Sequence, residues 1–278
     1  MRMETEASRS RPLSPESREI RRLILEMVHR SGASHIASSL SAVEILLAVY
    51  DSVDLGKIRS WTEDRDRVIV SKGHAAAALY AVLCRRGLME RSALNTYSMN
   101  DSLLSGHVSH FVPYVEHSTG ALGHGLSVGV GVAIGLRSKG LTSPRVYVVV
   151  GDGEMHEGSN WEALMLAAHH KLENLCVLID NNNLGGIGRT DECCSLREIK
   201  RMLEGFGAAA FAADGHDVAE IRAILDRTRS GAGRPVAVIC QTVKGKGISF
   251  MEGSNVWHYR PPNAEAFQKA LLELQEEG

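Results

Sequence analysis

Residues 145–150 read RVYVVV, an almost wholly apolar run that ends in Gly151-Asp152-Gly153-Glu154. A run this short, apolar on both faces and closed by a turn signal, reads as a strand inside a parallel sheet. Four further short runs, at 67–71, 175–180, 208–213 and 235–242, alternate with stretches of helical spacing. The first such stretch starts at Ser17 and places Ile20, Leu23, Ile24, Met27 and Val28 on one face. Others are expected near 42–50, 75–86, 91–97, 121–139, 158–170, 196–203, 218–228 and 264–276. Strands alternating with helices predict an α/β fold, a doubly wound parallel sheet covered on both faces. No repeat or linker divides the chain, so residues 17–278 are expected to form one domain behind a flexible arm at 1–16.

In sheets of this kind ligands sit beyond the carboxyl ends of the strands. Two polar stretches lie there, after Val150 and after Asp180. In the first, two glycines let the backbone turn sharply around Asp152. The second reads Asp180-Asn181-Asn182-Asn183-Leu184-Gly185-Gly186. Carboxylate, amide and carbonyl oxygens are hard donors suited to Mg²⁺ or Ca²⁺, and a sparsely liganded Mg²⁺ completes its shell with phosphate oxygens. Asp152 and Asn182 are thirty residues apart, about one βαβ unit. Neighbouring strands lie about 4.8 Å apart, so both side chains are expected to reach one ion. Taken singly, either stretch is an ordinary turn or loop; the spacing and the two strand ends make the pair informative.

Composition narrows the partners. Lys+Arg number 31 against 33 Asp+Glu, a formal net charge of −2 that attracts neither nucleic acid nor an anionic membrane. No run of about 18 apolar residues and no secretory signal is present, and five cysteines without ligand-like spacing fit reduced thiols in the cytoplasm.

The text GDGEMHEGSNWEALMLAAHHKLENLCVLIDNNNLGG resembles the diphosphate-binding motif of thiamine diphosphate enzymes, and specifically that of the transketolase family. The resemblance continues in SGASHIASSLSAVEI with His35, in Ser71-Lys72-Gly73-His74-Ala75, and in Ser105-Gly106-His107. It extends through Thr119-Gly120-Ala121-Leu122-Gly123-His124-Gly125 and TVKGKGISFME…WH with His258, spanning about residues 17–275. It implies the thiamine-diphosphate-binding fold of the diphosphate-binding domain. Asp152, the Asn182 side chain and the Leu184 carbonyl would hold Mg²⁺ or Ca²⁺. Gly153, Glu154, Asn182, His74, Gly120, Leu122 and His258 would line thiamine diphosphate. His35, His107 and His258 would face substrate oxygens, and Glu157 would join a carboxylate network across a subunit interface. Imidazoles suit that task because they donate or accept protons near neutral pH.

The sequence departs from the family pattern at Ser34 before His35, at His124 where glutamine is usual, and at Tyr259-Arg260-Pro261 after His258. The triple Asn leaves the metal-ligand register open by one residue. The chain stops at Gly278, where the resemblance implies that a second, pyrimidine-binding domain should follow. The expectation is therefore the diphosphate- and metal-binding half of a split transketolase, acting on sugar phosphates with a partner subunit in an α2β2 heterotetramer. The alternatives are the α subunit of a thiamine-dependent 2-oxo acid dehydrogenase, a non-catalytic regulatory half and, more weakly, a nicotinamide-binding module prompted by Gly129-x-Gly131.

Overall fold

The computed structural model describes residues 12–196, 198–229 and 233–275. Five strands, β1 (Arg67–Val70), β2 (Val146–Gly151), β3 (Leu175–Asn181), β4 (Ala209–Asp214) and β5 (Val236–Gln241), form one sheet in the order β1-β2-β3-β5-β4. Every neighbouring pair is parallel. Strands β1 to β3 are buried along their whole length, as continuous apolar runs require when helices cover both faces.

One face packs under α1 (Pro15–Ser31), α3 (Val43–Asp51), α5 (Ala76–Arg85), α10 (Val218–Arg227) and α11 (Ala264–Gln275). The other packs under α6 (Gly125–Ser138), α7 (Gly158–His169) and α9 (Ile199–Gly205). Alternate residues of β2 divide between the two cores: Tyr147 and Val149 face one, Val146, Val148 and Val150 the other. Three short helices complete the set, α2 (Ile36–Ser41), α4 (Leu55–Arg59) and α8 (Thr190–Cys193). The expected doubly wound sheet is present.

The helical boundaries differ from expectation where the site lies. Helix α6 starts at Gly125, not at residue 121, because Gly123 takes φ +83° and interrupts the helix. Residues 91–96 form a tighter 3-10 turn rather than an α-helix. Helix α1 opens at Pro15 with the Ser14 hydroxyl accepting from the Ser17 N–H, within the expected arm. Residues 1–11 of that arm lie outside the described residues, as do 276–278 at the end of the expected domain.

A buried ion pair ties α1 to the loop that carries His258. The Arg21 guanidinium donates to both Glu44 oxygens, at 2.6 and 2.9 Å, and its Nε donates to the Lys246 carbonyl at 2.8 Å. His216 Nδ1 meets the same carboxylate at 2.9 Å. Burial alone would raise the Glu44 carboxyl; Arg21 and His216 outweigh it and hold it well below the usual range. Removing one member of such a group strands a buried charge. Glu44→Ala is expected to cost about 3–5 kcal/mol, read as a lower midpoint in urea unfolding; an unchanged midpoint would show that the pair contributes nothing.

Candidate active-site cleft

A cleft of about 400 Å³ opens at the carboxyl ends of β1, β2 and β3. It is lined by every residue to which the resemblance gives a site role: His35, His74, His107, Gly120, Leu122, Asp152, Gly153, Glu154, Glu157, Asn182, Leu184 and His258. They come from seven separate stretches of chain, which the parallel register gathers. Gly151 pairs with Asp180 between β2 and β3, and the Asp152 N–H donates to the Asp180 carbonyl at 3.1 Å.

Asp152 is buried, and its carboxylate accepts from the Gly153 N–H at 2.8 Å and the Asn183 N–H at 2.5 Å. The second contact exists because Asn183 sits in the left-handed region at φ +60°, which Asn tolerates better than most residues. Burial and the nearby Asp180 carboxylate raise the Asp152 carboxyl to about 6. A buried acid beside a second acid is a place where positive charge is favoured.

The triple Asn separates by direction. Asn181 donates to the Gln241 side chain at 3.0 Å, away from the cleft. Asn182 lines the cleft, with its amide nitrogen held by Asp180 at 3.3 Å and its oxygen accepting from the Leu184 N–H at 3.1 Å. The donors at this spot are therefore a carboxylate, an amide oxygen and a backbone carbonyl, which fit a hard divalent cation. Among the described residues no group of three or more His, Cys, Asp or Glu is placed to hold a metal.

Two lysines that the sequence pattern does not single out bring positive charge to the cleft. Lys72 is buried and pairs with Asp180, which also accepts from the Ser41 and Thr242 hydroxyls. Burial alone would raise the Asp180 carboxyl; Lys72 and the hydroxyls reverse the effect and lower it. Lys244 donates to the carbonyls of Leu184 at 3.2 Å and Gly185 at 2.8 Å, and to the Asn255 side chain at 3.1 Å. Burial and the Lys72 charge lower its ammonium to about 8. The available signal was position: both lysines stand at the ends of apolar strand runs.

Four histidines face one another across the other wall. Ring centroids of His35 lie 4.9 Å from His258, 5.4 Å from His74 and 5.5 Å from His107. His35 itself adopts φ 72°, and its N–H donates to the His258 carbonyl at 2.7 Å. Burial lowers His35 to about 4, aided by His107, Lys244 and Lys72. Burial, Lys244 and His35 lower His258 to about 3, and burial with Lys72 takes His74 well below its usual range. These three rings are neutral at physiological pH.

Glycines allow the close approach. A Cβ on Gly73 would meet the Thr119 carbonyl carbon at 2.5 Å, and one on Gly120, at φ +142°, would meet the His107 ring at 2.9 Å. The departures also have places. His124 is exposed and holds the Leu122 carbonyl, outside the cleft lining. Tyr259 packs edge-on against His258 at 4.6 Å and narrows the rim beside Gly186. His156, which its sequence setting does not mark, also lines the cleft, as does Cys193. All five cysteines are free.

A family model described as transketolase, thiamine diphosphate binding domain, matches residues 16–273. The chain is 37% identical over 269 residues to an apulose-4-phosphate transketolase subunit of Phocaeicola vulgatus, covering 95% of this chain and 94% of that protein. It is 40% identical over 270 residues to the protein of the same name in Actinobacillus succinogenes, covering 95% and 96%. The solved transketolase of Campylobacter jejuni superposes with a TM-score of 0.83 at 27% identity, over 93% of this chain and 42% of that one. The Leishmania mexicana transketolase gives 0.84 at 26% identity, over 96% and 42%. The chain thus spans about two-fifths of the length of these solved transketolases and nearly all of the two apulose-4-phosphate transketolase subunits. With a match running from residue 16 to residue 273, the chain belongs to the transketolase family and carries its thiamine diphosphate binding domain.

Proposed function

We propose that the chain is the diphosphate- and metal-binding subunit of a two-chain transketolase, which moves a two-carbon ketol unit between sugar phosphates. The observation that carries this reading is the convergence of Asp152, Asn182, Leu184, the Gly120–Leu122 turn and four histidines on one cleft. Its near full-length likeness to proteins named as individual transketolase subunits supports a separate partner chain. We place two copies of each chain in the assembly and the enzyme in the cytoplasm. No helix among the described residues is long and apolar enough to cross a membrane.

In this reading Asp152, Asn182 and the Leu184 carbonyl hold Mg²⁺ or Ca²⁺. Gly153, His74 and Lys244 approach the diphosphate, and Gly120 and Leu122 form the wall beside the ring. Thiamine diphosphate, when bound, supplies the carbanion chemistry. The chain's task is placement and electrostatics. The neutral imidazoles of His35 and His258 offer hydrogen bonds to hydroxyl and carbonyl oxygens without adding charge to a cleft that already holds two lysines. His107 faces them and is assigned to the substrate with them. Glu157 occupies the N-cap position of α7 at the cleft edge, exposed and placed to meet a partner. Ile187 and Tyr259 leave a largely apolar rim, 88% and 59% exposed, that suits a covering subunit.

The central test reconstitutes the chain with the partner protein that co-purifies with it. Turnover with thiamine diphosphate and Mg²⁺ is expected only from the pair; robust turnover by this chain alone overturns the two-chain reading. Metal-dependent cofactor binding distinguishes the proposed role from that of a non-catalytic half, which would bind none even with its partner.

Asp152→Ala removes the only acidic ligand and is expected to abolish metal-dependent cofactor binding in calorimetry; unchanged affinity rejects the assignment. His107→Ala is expected to spare cofactor binding and lower turnover by roughly 10²-fold; loss of binding would move His107 out of the substrate role.

The depressed histidines set a pH dependence. Unfolded imidazoles take protons at about 6.5, whereas folded His35 and His258 resist until about 4 and 3. Below the unfolded value the unfolded chain binds more protons, so their effect on stability is neutral above pH 6.5 and increasingly unfavourable toward pH 4. The thermal midpoint should therefore fall over that window, and fall less in a His35→Asn/His258→Asn double variant. Parallel profiles for the two proteins would contradict the neutral-histidine picture.

A further inference from the structure

Glu154 follows the Gly151-Asp152-Gly153 turn, is only 2% exposed, and is held by hydroxyl and amide donors rather than by an ion pair. Its two oxygens are taken by three donors from three loops. The Ser71 hydroxyl donates to Oε1, and so does the Gly123 N–H at 3.1 Å. The Gly151 N–H donates to Oε2 at 3.2 Å. Ser71 follows β1, beside Lys72 and close in sequence to His74. Gly123 closes the turn that carries Gly120 and Leu122, and Gly151 opens the turn that carries Asp152.

The same junction is locked by sterics. A Cβ on Gly125 would fall 2.4 Å from the Ser71 hydroxyl oxygen, and one on Gly123 would fall 2.6 Å from Glu157. The Ser159 hydroxyl donates to the Gly123 carbonyl at 2.8 Å, and the Asn160 amide donates to the Glu154 carbonyl at 2.7 Å. Burying a carboxylate is unfavourable unless its hydrogen bonds are made; here the Ser71 and Gly123 bonds join two other loops to this turn, and the Gly151 bond closes the turn itself.

We propose that Glu154 is a positioning residue for the cofactor site: it does not hold the cofactor but fastens the Gly120–Leu122 wall, the His74 turn and the Asp152 turn to one another. The inference rests on the reading of the cleft given above. It changes the part expected of Glu154 from contact to alignment.

The choice of residue follows from counting acceptors. A carboxylate presents two oxygens toward three donors. Glutamine of the same shape presents one oxygen, and its NH₂ confronts either the Gly123 or the Gly151 N–H, leaving that donor without an acceptor. A hydrophobic or merely space-filling role would survive the exchange; alignment through these amides would not.

Two readouts on Glu154→Gln test this, both on the full chain. In the cofactor-free protein, amide exchange at Gly123 or Gly151 is expected to quicken about tenfold, with the thermal midpoint held within about 2 °C. With the partner subunit present, affinity for thiamine diphosphate and Mg²⁺ is expected to weaken about tenfold. Ser71→Ala, which removes one donor and leaves the carboxylate, should shift both readouts in the same direction by less, and serves if the glutamine variant does not fold. Unchanged exchange at both glycines, or unchanged cofactor affinity alongside normal wild-type binding, overturns the inference. Failure of the wild-type pair to bind the cofactor at all instead sinks the reading of the cleft, and the positioning role with it, whatever the glycine amides report.

Discussion

The mouth of the sheet is organised around the buried contact between Lys72 and Asp180. Both side chains are almost wholly out of water, and each has left bulk solvation for the other. Such a pair is stable only when the remaining lone pairs and protons are used. Here they are: Ser41 and Thr242 donate to the carboxylate, and the Ser38 carbonyl accepts from the ammonium at 3.1 Å. The consequence is geometric. Helix α2, the turn after β1, the end of β3 and the residue after β5 are bound to one point, and each contributes to the cleft lining or lies within two residues of one that does.

That point also sets the electrostatics around it. Burial and the Asp180 charge raise the neighbouring Asp152 carboxyl, while burial and Lys72 lower Lys244 and His74. In the proposed reading one wall of the cleft would take a cation held by oxygens, and the other presents imidazoles that burial keeps neutral. The two lysines stand between, where negative oxygens would be received. No single element specifies this division. It follows from where the parallel register of β2 and β3 leaves Asp152, Asp180 and Asn182.

Much of the architecture was legible in the residues alone, because buried parallel strands are contiguous apolar runs closed by Gly, Asp or Asn. All five strands fall within one residue of where the pattern places them at either end. Periodicity served less well where helices are short. The six residues of α2 and the five of α4 make too few turns to show a repeat. At residues 121–124 apolar and small residues continue the helical pattern, yet Gly123 turns the chain and makes a cleft wall instead. Lys72 and Lys244 were missed since a lysine reads as a solvated face by default; only the tertiary structure brings an acid or a set of carbonyls to it. The Asn181–Asn183 register likewise depended on a backbone angle, the left-handed Asn183, that composition does not encode.

The cleft also has a direction. Its charged groups lie along the floor, on Asp152, Lys72 and Lys244, while Ile187 and Tyr259 stand exposed around the edge. Electrostatic placement is strongest where water is excluded, because the effective dielectric falls. In this chain by itself the histidines and the Asp152 turn look onto an open mouth. An apolar edge gains nothing from water and gains about 25 cal/mol per Å² when another apolar surface covers it. The covering that stabilises the rim is thus the same event that dries the floor. This couples the assembly of the proposed enzyme to the strength of every interaction at its centre.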